Sequence, residues 1–572
     1  MPSSIGYDVV FEGYDSSMAP TCPHGPTLLF EKICPNSAKI SRFFACSASR
    51  DRKHCKFYQD FNEVVSDDEL KKREIFNKNQ QPKYDHLESV ERLIKLQNVP
   101  EKERIFCKSC YKLLLQSERK NHNKKHELQT GLTLDQLSKP SELLIPLENN
   151  STNAQYLFSR KATEFILDTV QHLGYERVLC VGAPRIHEAI QNDKRKKLES
   201  LLLDIDHRYV QFYPPDKYCR YNMFNNHFFD GKKSRDICCA FLQRNNGRGV
   251  ILVTDPPFGG LIDVLVTTMK YLQETWRRAI ETGKESVELP VFWIFPYFFE
   301  PRILQSWPTF TMLDYKVDYE NHDFFKSGPN SKSKKKGSPV RIFTNISSNL
   351  IPLPAEEGYS FCSICNRYVS KENKHCNLCN SCTSKDGTTY RHCDECNRCV
   401  KPVRIHCKTC KQCMLPNHRC NDLKSGCYIC GEMNHKHRYC PHRGKKFGGK
   451  KRNFDSLLND PGETLVKQNT EQASSKQKMS DTNDADFQET TSLKNNSEQT
   501  PCYNKDDYVS IKKNSVNITK VGQRSRTAFV NVSKRPIKHK VSASKRFRRK
   551  KILQFSLVKI RTDNNTSVST IL

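Results

Sequence analysis

The chain has 572 residues, enough for about three to five folded units at ordinary domain sizes. It carries 93 Lys and Arg against 63 Asp and Glu, a net charge of +30. That surplus argues against a bland acidic enzyme and makes a polyanion the default partner. Only 36% of residues are hydrophobic and the mean hydropathy is −0.71, so the core must be concentrated in part of the chain. The longest apolar stretch, Pro290–Phe299, is too short to cross a bilayer and contains prolines. The start, MPSSIGYDVVFEGYD, has neither a basic lead nor an apolar run, so no secretory signal is expected. The 26 cysteines therefore read as metal ligands in a reducing compartment rather than as a disulfide framework.

In chain order, the first expected module spans residues 20–62. Cys22-Pro-His24-Gly25, Arg42-Phe-Phe-Ala-Cys46 and Cys55-Lys-Phe57-Tyr58 resemble a GRF-type zinc finger. The ligands would be Cys22, His24, Cys46 and Cys55, a tetrahedral Cys3His set. The resemblance implies contact with single-stranded nucleic acid, with Arg42, Phe43 and Phe57 as candidates. The plain alternative is that these aromatics only fill a small core. A second module over 104–128 has Cys107-x2-Cys110-x11-His122-x3-His126. It fits a Cys2His2 finger, one residue short of the usual span between pairs. A single finger reads few bases, so docking or packing is its expected role.

Residues 150–348 hold the strand and helix signals. Tyr156–Leu173 has helical spacing and stops at Gly174. Arg177–Gly182, Leu201–Asp206, Val210–Tyr213, Val250–Asp255, Val291–Pro296, Phe310–Tyr319 and Val340–Thr344 read as strands. Helices lie between them, notably Ile262–Thr282. The alternation predicts a doubly wound α/β domain, whose ligands bind at the carboxyl ends of the strands. Gly182, Asp206 and Asp255 sit at such ends.

Asp255-Pro256-Pro257-Phe258 is the sharpest signal. It resembles the (D/N/S)-P-P-(Y/F/W) motif of S-adenosylmethionine-dependent amino-methyltransferases, which act on adenine N6 or cytosine N4. The implied domain is a Rossmann-like class I methyltransferase. The chemistry fits the residue types. An exocyclic amine is a poor nucleophile because its lone pair is delocalised into the ring. The Asp255 carboxylate and the Pro256 carbonyl can each accept one amino hydrogen and hold the nitrogen toward a methyl donor. The two prolines stiffen the backbone, and Phe258 offers a face to an unstacked base. Asp at the first position leans toward adenine in this resemblance. The bland reading is a Pro-Pro turn after a strand.

Cofactor contacts are less distinct. Val181-Gly182-Ala183-Pro184-Arg185 occupies the first strand–helix turn with one glycine rather than GxGxxG. Gly182 and Arg185 are expected there, with Asp206 accepting ribose hydroxyls. Met223 and Phe224 would frame the adenine of the donor. Gln155, Tyr156, Leu157 and Phe158 precede the helix; a Phe near this point contacts the cofactor in the resembling enzymes. Plain core packing of Leu157 and Phe158 is the competing reading. No Cys follows a Pro in the motif, which disfavours covalent C5-type methylation.

Residues 360–422 repeat His-Cys-x2-Cys-x2-Cys at His375–Cys382, His392–Cys399 and His406–Cys413. Four ligands of one repeat on one ion would be cramped, and interleaving removes the difficulty. The expected sites are Cys362, Cys365, His375 and Cys382; then Cys376, Cys379, His392 and Cys399. Next come Cys393, Cys396, His406 and Cys413, and last Cys407, Cys410, His418 and Cys420. The spacing resembles the zinc scaffold of DHHC palmitoyltransferases. The Asp-His-His-Cys signature and membrane helices of that family are missing, so a scaffold is expected and acyl transfer is disfavoured.

Residues 425–442 contain Cys427-x2-Cys430-x4-His435-x4-Cys440, the pattern of a CCHC knuckle that contacts unpaired RNA bases. About seven zinc ions are implied in all. The tail, 453–572, is rich in Lys, Asn, Ser, Thr and Gln and reads as disordered. His442–Arg452 and Lys534–Lys551 are basic runs that suit nuclear or nucleolar import and loose RNA binding. Lys332–Lys336 reads as an exposed loop near the site.

The order of modules over residues 20–445 closely resembles the CCHC-zinc-finger rRNA N6-adenosine methyltransferases. That resemblance implies N6-methylation of one adenosine in large-subunit ribosomal RNA, with S-adenosylmethionine as donor. It also implies a nuclear or nucleolar location, with the cytoplasm as a further one, in support of ribosome biogenesis and translation. Ribosome-biogenesis factors or an RNA helicase as partners are left open by the sequence. Two other readings stand beside it. One is a non-catalytic RNA-binding protein with a vestigial methyltransferase fold; the other is the same chemistry on another RNA.

Overall fold

The computed structural model describes residues 6–11, 18–33, 40–49, 52–122, 125–147, 155–193, 198–280, 287–321, 338–418 and 420. The knuckle, the Lys332–Lys336 loop and the basic tail lie outside the described residues. No helix among the described residues is long and apolar enough to cross a membrane.

The central sheet has eight strands: β1 (Arg177–Val181), β2 (Glu199–Asp204), β3 (Tyr218–Asn222), β4 (His227–Phe228), β5 (Val250–Thr254), β6 (Val291–Pro296), β7 (Thr311–Met312) and β8 (Val340–Thr344). Their order in space is β4-β3-β2-β1-β5-β6-β8-β7. The run from β3 to β6 is parallel, and β8 enters antiparallel between β6 and β7. All five residues of β1 and of β5 are buried because helices cover both faces. Val178, Cys180, Ile251 and Val253 pack against α1 (Arg160–His172) and α2 (Pro184–Asn192). Leu179, Val181, Leu203 and Leu252 point the other way, against α3 (Lys232–Gln243) and α4 (Ile262–Arg277). This is the expected α/β class, and alternation along each strand feeds two cores at once.

Three sequence expectations are corrected. The helix expected from Tyr156 begins at Arg160, because Ser159 caps it by accepting the Ala162 amide at 3.2 Å. Tyr156–Phe158 lies ahead of it instead, and Phe158 makes a single antiparallel bridge to Tyr319. Val210–Tyr213 is not a strand. A 3-10 turn occupies His207–Gln211, started by the Asp206 carboxylate accepting the Arg208 amide at 3.0 Å, and the third strand is Tyr218–Asn222. Of Phe310–Tyr319 only Thr311–Met312 is strand.

The N-terminal segment starts as a four-stranded antiparallel sheet, Gly6–Val10, Leu28–Ile33, Ile40–Ala45 and Tyr58–Asp60, paired in that order. Helices Asp67–Asn79 and His86–Gln97 follow, between the two N-terminal cysteine modules. Leu93 and Leu96 of the second join Phe106 and Leu113 in the core beside α1 and α2. After the central sheet come four small hairpins between Tyr359 and Met414. Asp314, buried beside β7, fastens them: its Oδ2 accepts the Ser370 amide at 3.0 Å and Asn373 Nδ2 at 2.7 Å.

Asp314→Ala leaves two buried donors without their acceptor, a loss of about 1–3 kcal/mol. Hydrogen exchange should show lost protection at Ser370 and Asn373 while β1 and β5 stay protected.

Candidate active site and metal centres

Strand register builds the site. Val181 lies opposite Leu203 on one side and Thr254 on the other. The next residue of each chain is therefore Gly182, Asp204 and Asp255, side by side at the carboxyl edge. The sheet reverses its winding between β1 and β5, the place where open α/β sheets bind ligands. A cleft of about 720 Å³ opens there, within the range of small-molecule sites.

Gly182 has φ +63°, and a Cβ on it would meet Met223 Cε at 2.5 Å. Only glycine keeps this turn flush with the cleft floor. Asp255 follows β5, its amide donating to Val181 O at 3.3 Å. Tyr319 Oη donates to Asp255 Oδ1 at 2.9 Å. Burial pushes the Asp255 carboxyl well above the usual carboxylate range, and the Tyr319 hydrogen bond offsets part of that rise. No donor among the described residues reaches Oδ2. Pro257 O accepts the Gly260 amide at 2.7 Å and turns the loop. Phe258 stands edge-on to Phe295 at 5.7 Å and to Tyr319 at 6.1 Å.

Gln155, Tyr156, Gly182, Asp206, Met223, Phe224 and all four residues of Asp255–Phe258 line the cleft. Leu157, Phe158 and Arg185 do not. Phe158 is buried and stacks on Tyr319 at 5.2 Å, so it braces the partner of Asp255. Arg185 turns to Ser141 Oγ at 2.5 Å and Glu188 Oε1 at 3.0 Å. Asp206 is held by Arg208 through Nε at 2.9 Å and Nη2 at 2.6 Å, and by Gln155 Nε2 at 2.8 Å. Burial opposes its charge, but Arg208 keeps the carboxyl low. Asp204, two residues earlier at the end of the strand, is a site residue that the sequence reading missed. It lines the cleft, and burial pushes it up to about 7. Its signal was present: it is the first acid at the end of Leu201-Leu-Leu-Asp204.

The N-terminal modules also wall this cleft, through His24 and Tyr111. His24 O accepts Asn222 Nδ2 at 2.8 Å and Asn225 Nδ2 at 3.0 Å, and Asn222 Oδ1 accepts the Phe224 amide at 3.0 Å. The turn carrying Met223 and Phe224 is thus tied to the first cysteine module. These features fit a methyl donor of adenosylmethionine size: a Cβ-free turn, two strand-end carboxyls and an apolar wall of Met223 and Phe224.

The structure brings Cys22, His24, Cys46 and Cys55 together, and likewise Cys107, Cys110, His122 and His126. The ladder groups form as interleaved: Cys362, Cys365, His375, Cys382; Cys376, Cys379, His392, Cys399; Cys393, Cys396, His406, Cys413. Within each group the donor atoms lie within 4.8 Å of one another. Cys407, Cys410, His418 and Cys420 also converge, with His418 Nε2 at 3.3 Å from Cys410 Sγ and 3.4 Å from Cys420 Sγ. Edges of this size match a tetrahedron of Zn–S and Zn–N bonds, roughly 3.3–3.8 Å. These six groups could hold metal ions. The residue after each Cys-x2-Cys pair, Tyr111, Asn366, Asn380, Asn397 or Lys411, has φ between 45° and 52°. That left-handed step curls the backbone so both thiols face one point. Cys427, Cys430, His435 and Cys440 lie outside the described residues.

Four outcomes are expected. Asp255→Ala lowers kcat by roughly 10²–10³-fold, the scale of losing one preorganised electrostatic contact. In the wild type, kcat/KM is lost as pH is lowered through the raised Asp255 pKa, because the ionised form is the acceptor. Tyr319→Phe removes a hydrogen bond that favours ionisation, moving that acid limb to higher pH. Cys46→Ser, which loosens the His24 anchor, weakens donor binding by calorimetry more than Cys393→Ser does.

The family described as "Probable N6-adenine methyltransferase" matches residues 149–334. The human protein named rRNA N(6)-adenosine-methyltransferase ZCCHC4 is 51% identical over 442 residues, covering 77% of this chain and 85% of its own. The Mus musculus protein of that name is 53% identical over 449 residues, covering 78% and 87%. The Xenopus tropicalis protein is 50% identical over 453 residues, covering 78% and 92%. With half the residues shared over more than three quarters of its length, the chain belongs to the ZCCHC4 family of rRNA N6-adenosine methyltransferases.

Proposed function

We propose that this protein methylates N6 of a specific adenosine in large-subunit ribosomal RNA. The observation that carries the reading is Asp255 at the switch point of the sheet, lining the cleft, with Oδ1 held by Tyr319. S-adenosylmethionine, when bound, supplies an electrophilic methyl group. Gly182, Asp204, Asp206, Tyr156, Met223 and Phe224 would hold it in the cleft.

The chain's own residues do the rest. Asp255 Oδ2 and the Pro256 carbonyl accept the two amino hydrogens and fix the direction of the nitrogen lone pair. Phe258 stacks the base once it has left its own stack. After transfer the nitrogen sheds one proton. Asp255 is suited to take it at Oδ2, since burial has made this carboxylate more basic than usual. Tyr319 holds the carboxylate plane throughout.

Zinc in six groups and the knuckle, about seven ions, would shape the surface that receives RNA. The net charge of +30 supports binding to a polyanion. The basic runs at His442–Arg452 and Lys534–Lys551 support nuclear and nucleolar entry.

The test is methyl transfer from labelled S-adenosylmethionine to total RNA, beside Asp255→Ala, with product nucleosides identified by mass spectrometry. N6-methyladenosine in large rRNA, absent with Asp255→Ala, is the expected result. Intact zinc and tight RNA binding without transfer would instead mark a binding protein; the same product in another RNA would redirect the substrate assignment.

A further inference from the structure

A second cavity, about 650 Å³, adjoins the catalytic cleft. Phe224, Pro257 and Gly259 line both. Its floor is one face of the N-terminal sheet. Phe30 and Phe43 are directly paired across neighbouring strands, and Tyr58 stands diagonal to Phe43 on the next. Their rings form a row: Phe30 to Phe43 at 5.7 Å and 17°, Phe43 to Tyr58 at 5.0 Å and 23°. Tyr7 meets Phe43 edge-on at 6.1 Å.

A row of rings on this face is not required by packing. Leu29 and Phe44 on the opposite face are buried and form the sheet's own core, whereas Tyr7 is 52% exposed and Tyr58 39%. The outward face of such a sheet is ordinarily polar. Lys32 and Arg52 also line the cavity, and Arg52 lies over the Tyr58 ring at 4.8 Å. Neither makes an ion pair among the described residues, unlike Arg42, which is paired with Glu31 at 3.2 Å. Stacked, half-open rings edged by unpaired cations suit a planar base attached to a phosphate.

We propose that this cavity is a second nucleobase site, stacking an unpaired base next to the adenosine in the catalytic cleft. The inference rests on the reading of the protein as an RNA methyltransferase. Extruding the target leaves its neighbour in the strand without a stacking partner. The aromatic row lies one shared wall away and replaces that partner. Lys32 and Arg52 meet the phosphate. Such a site selects for unpaired sequence around the target rather than for the target itself, because every base has a face to stack.

The test uses the full chain loaded with zinc and a short unpaired RNA carrying 2-aminopurine at successive positions flanking one adenosine. Fluorescence is read without methyl donor. Stacking on the row should quench the probe at one flanking position. Tyr58→Ala should abolish that quench and raise KM by roughly 5–150-fold, with a smaller effect on kcat. Tyr58→Trp should restore both. Zinc content and circular dichroism check the fold, and Arg52→Gln, at an exposed position, gives a milder version of the same loss. An unchanged quench and KM within two-fold in Tyr58→Ala overturns the proposal. So does loss of a protein partner with RNA binding and methylation intact, which would make the cavity a protein-docking groove. A quench in a wild-type protein that transfers no methyl group would instead sink the enzymatic reading and leave the base site standing.

Discussion

Parallel pairing of β1 with β2 and β5 is the constraint on which the site depends. It delivers a glycine and two carboxyls to the same level of the sheet edge. Side chains on a strand alternate faces, so a one-residue slip of any of these strands would send its functional group into a core. Helices on both faces make such a slip costly, because every residue of β1 and β5 is buried. The fold's energetics and the alignment of the chemistry are one requirement. Asp255 is then placed where burial opposes its charge, and Tyr319 compensates in part. A carboxylate balanced in this way is both a hydrogen-bond acceptor and a competent proton acceptor.

The cysteine modules are not beads on the catalytic domain. His24 gives its ring to a metal-binding group and its carbonyl to Asn222 and Asn225. One residue thus connects the donor-binding turn to the N-terminal sheet. Gln81 makes a parallel connection, donating to Pro23 O at 2.6 Å and accepting Arg220 Nη1 at 2.9 Å. At the other end, Asp314 ties the ladder to the edge of the sheet beside the segment that carries Tyr319. Both attachments lie close to residues that set the geometry of the cleft.

Much of this was legible in residue order. Apolar strands ending in Gly or Asp, the Asp-Pro-Pro-Phe motif and the cysteine spacing are local signals, and each concerns a few consecutive residues. The interleaved ladder followed from a steric argument about a single repeat. What escaped was set by distant partners. Tyr319 reaches Asp255 only because Phe158 bridges to it across 161 residues of chain, and neither residue carries a mark of that contact. Arg185 looked like a cofactor ligand by position, but Glu188 one helical turn on, together with Ser141, claims it. Asp206 closes the run Leu201–Asp206 that reads as a strand. The 3-10 turn shows that Asp206 is the cap of the next segment and Asp204 the end of the strand. Helix Asp67–Asn79 buries no residue, so no apolar period announced it. Only Ser66 and the acids after it marked its start.

The ladder's arithmetic has a consequence for how such a protein can change over generations. Each His-Cys-x2-Cys-x2-Cys unit gives its His and last Cys to one group and its first two Cys to the next. A whole unit can be duplicated or excised in frame and every remaining ligand still finds a complete set. A break inside a unit strands half-sets on two neighbouring groups at once. Length variation in this segment is therefore quantised, and its lineage should be written in whole repeats.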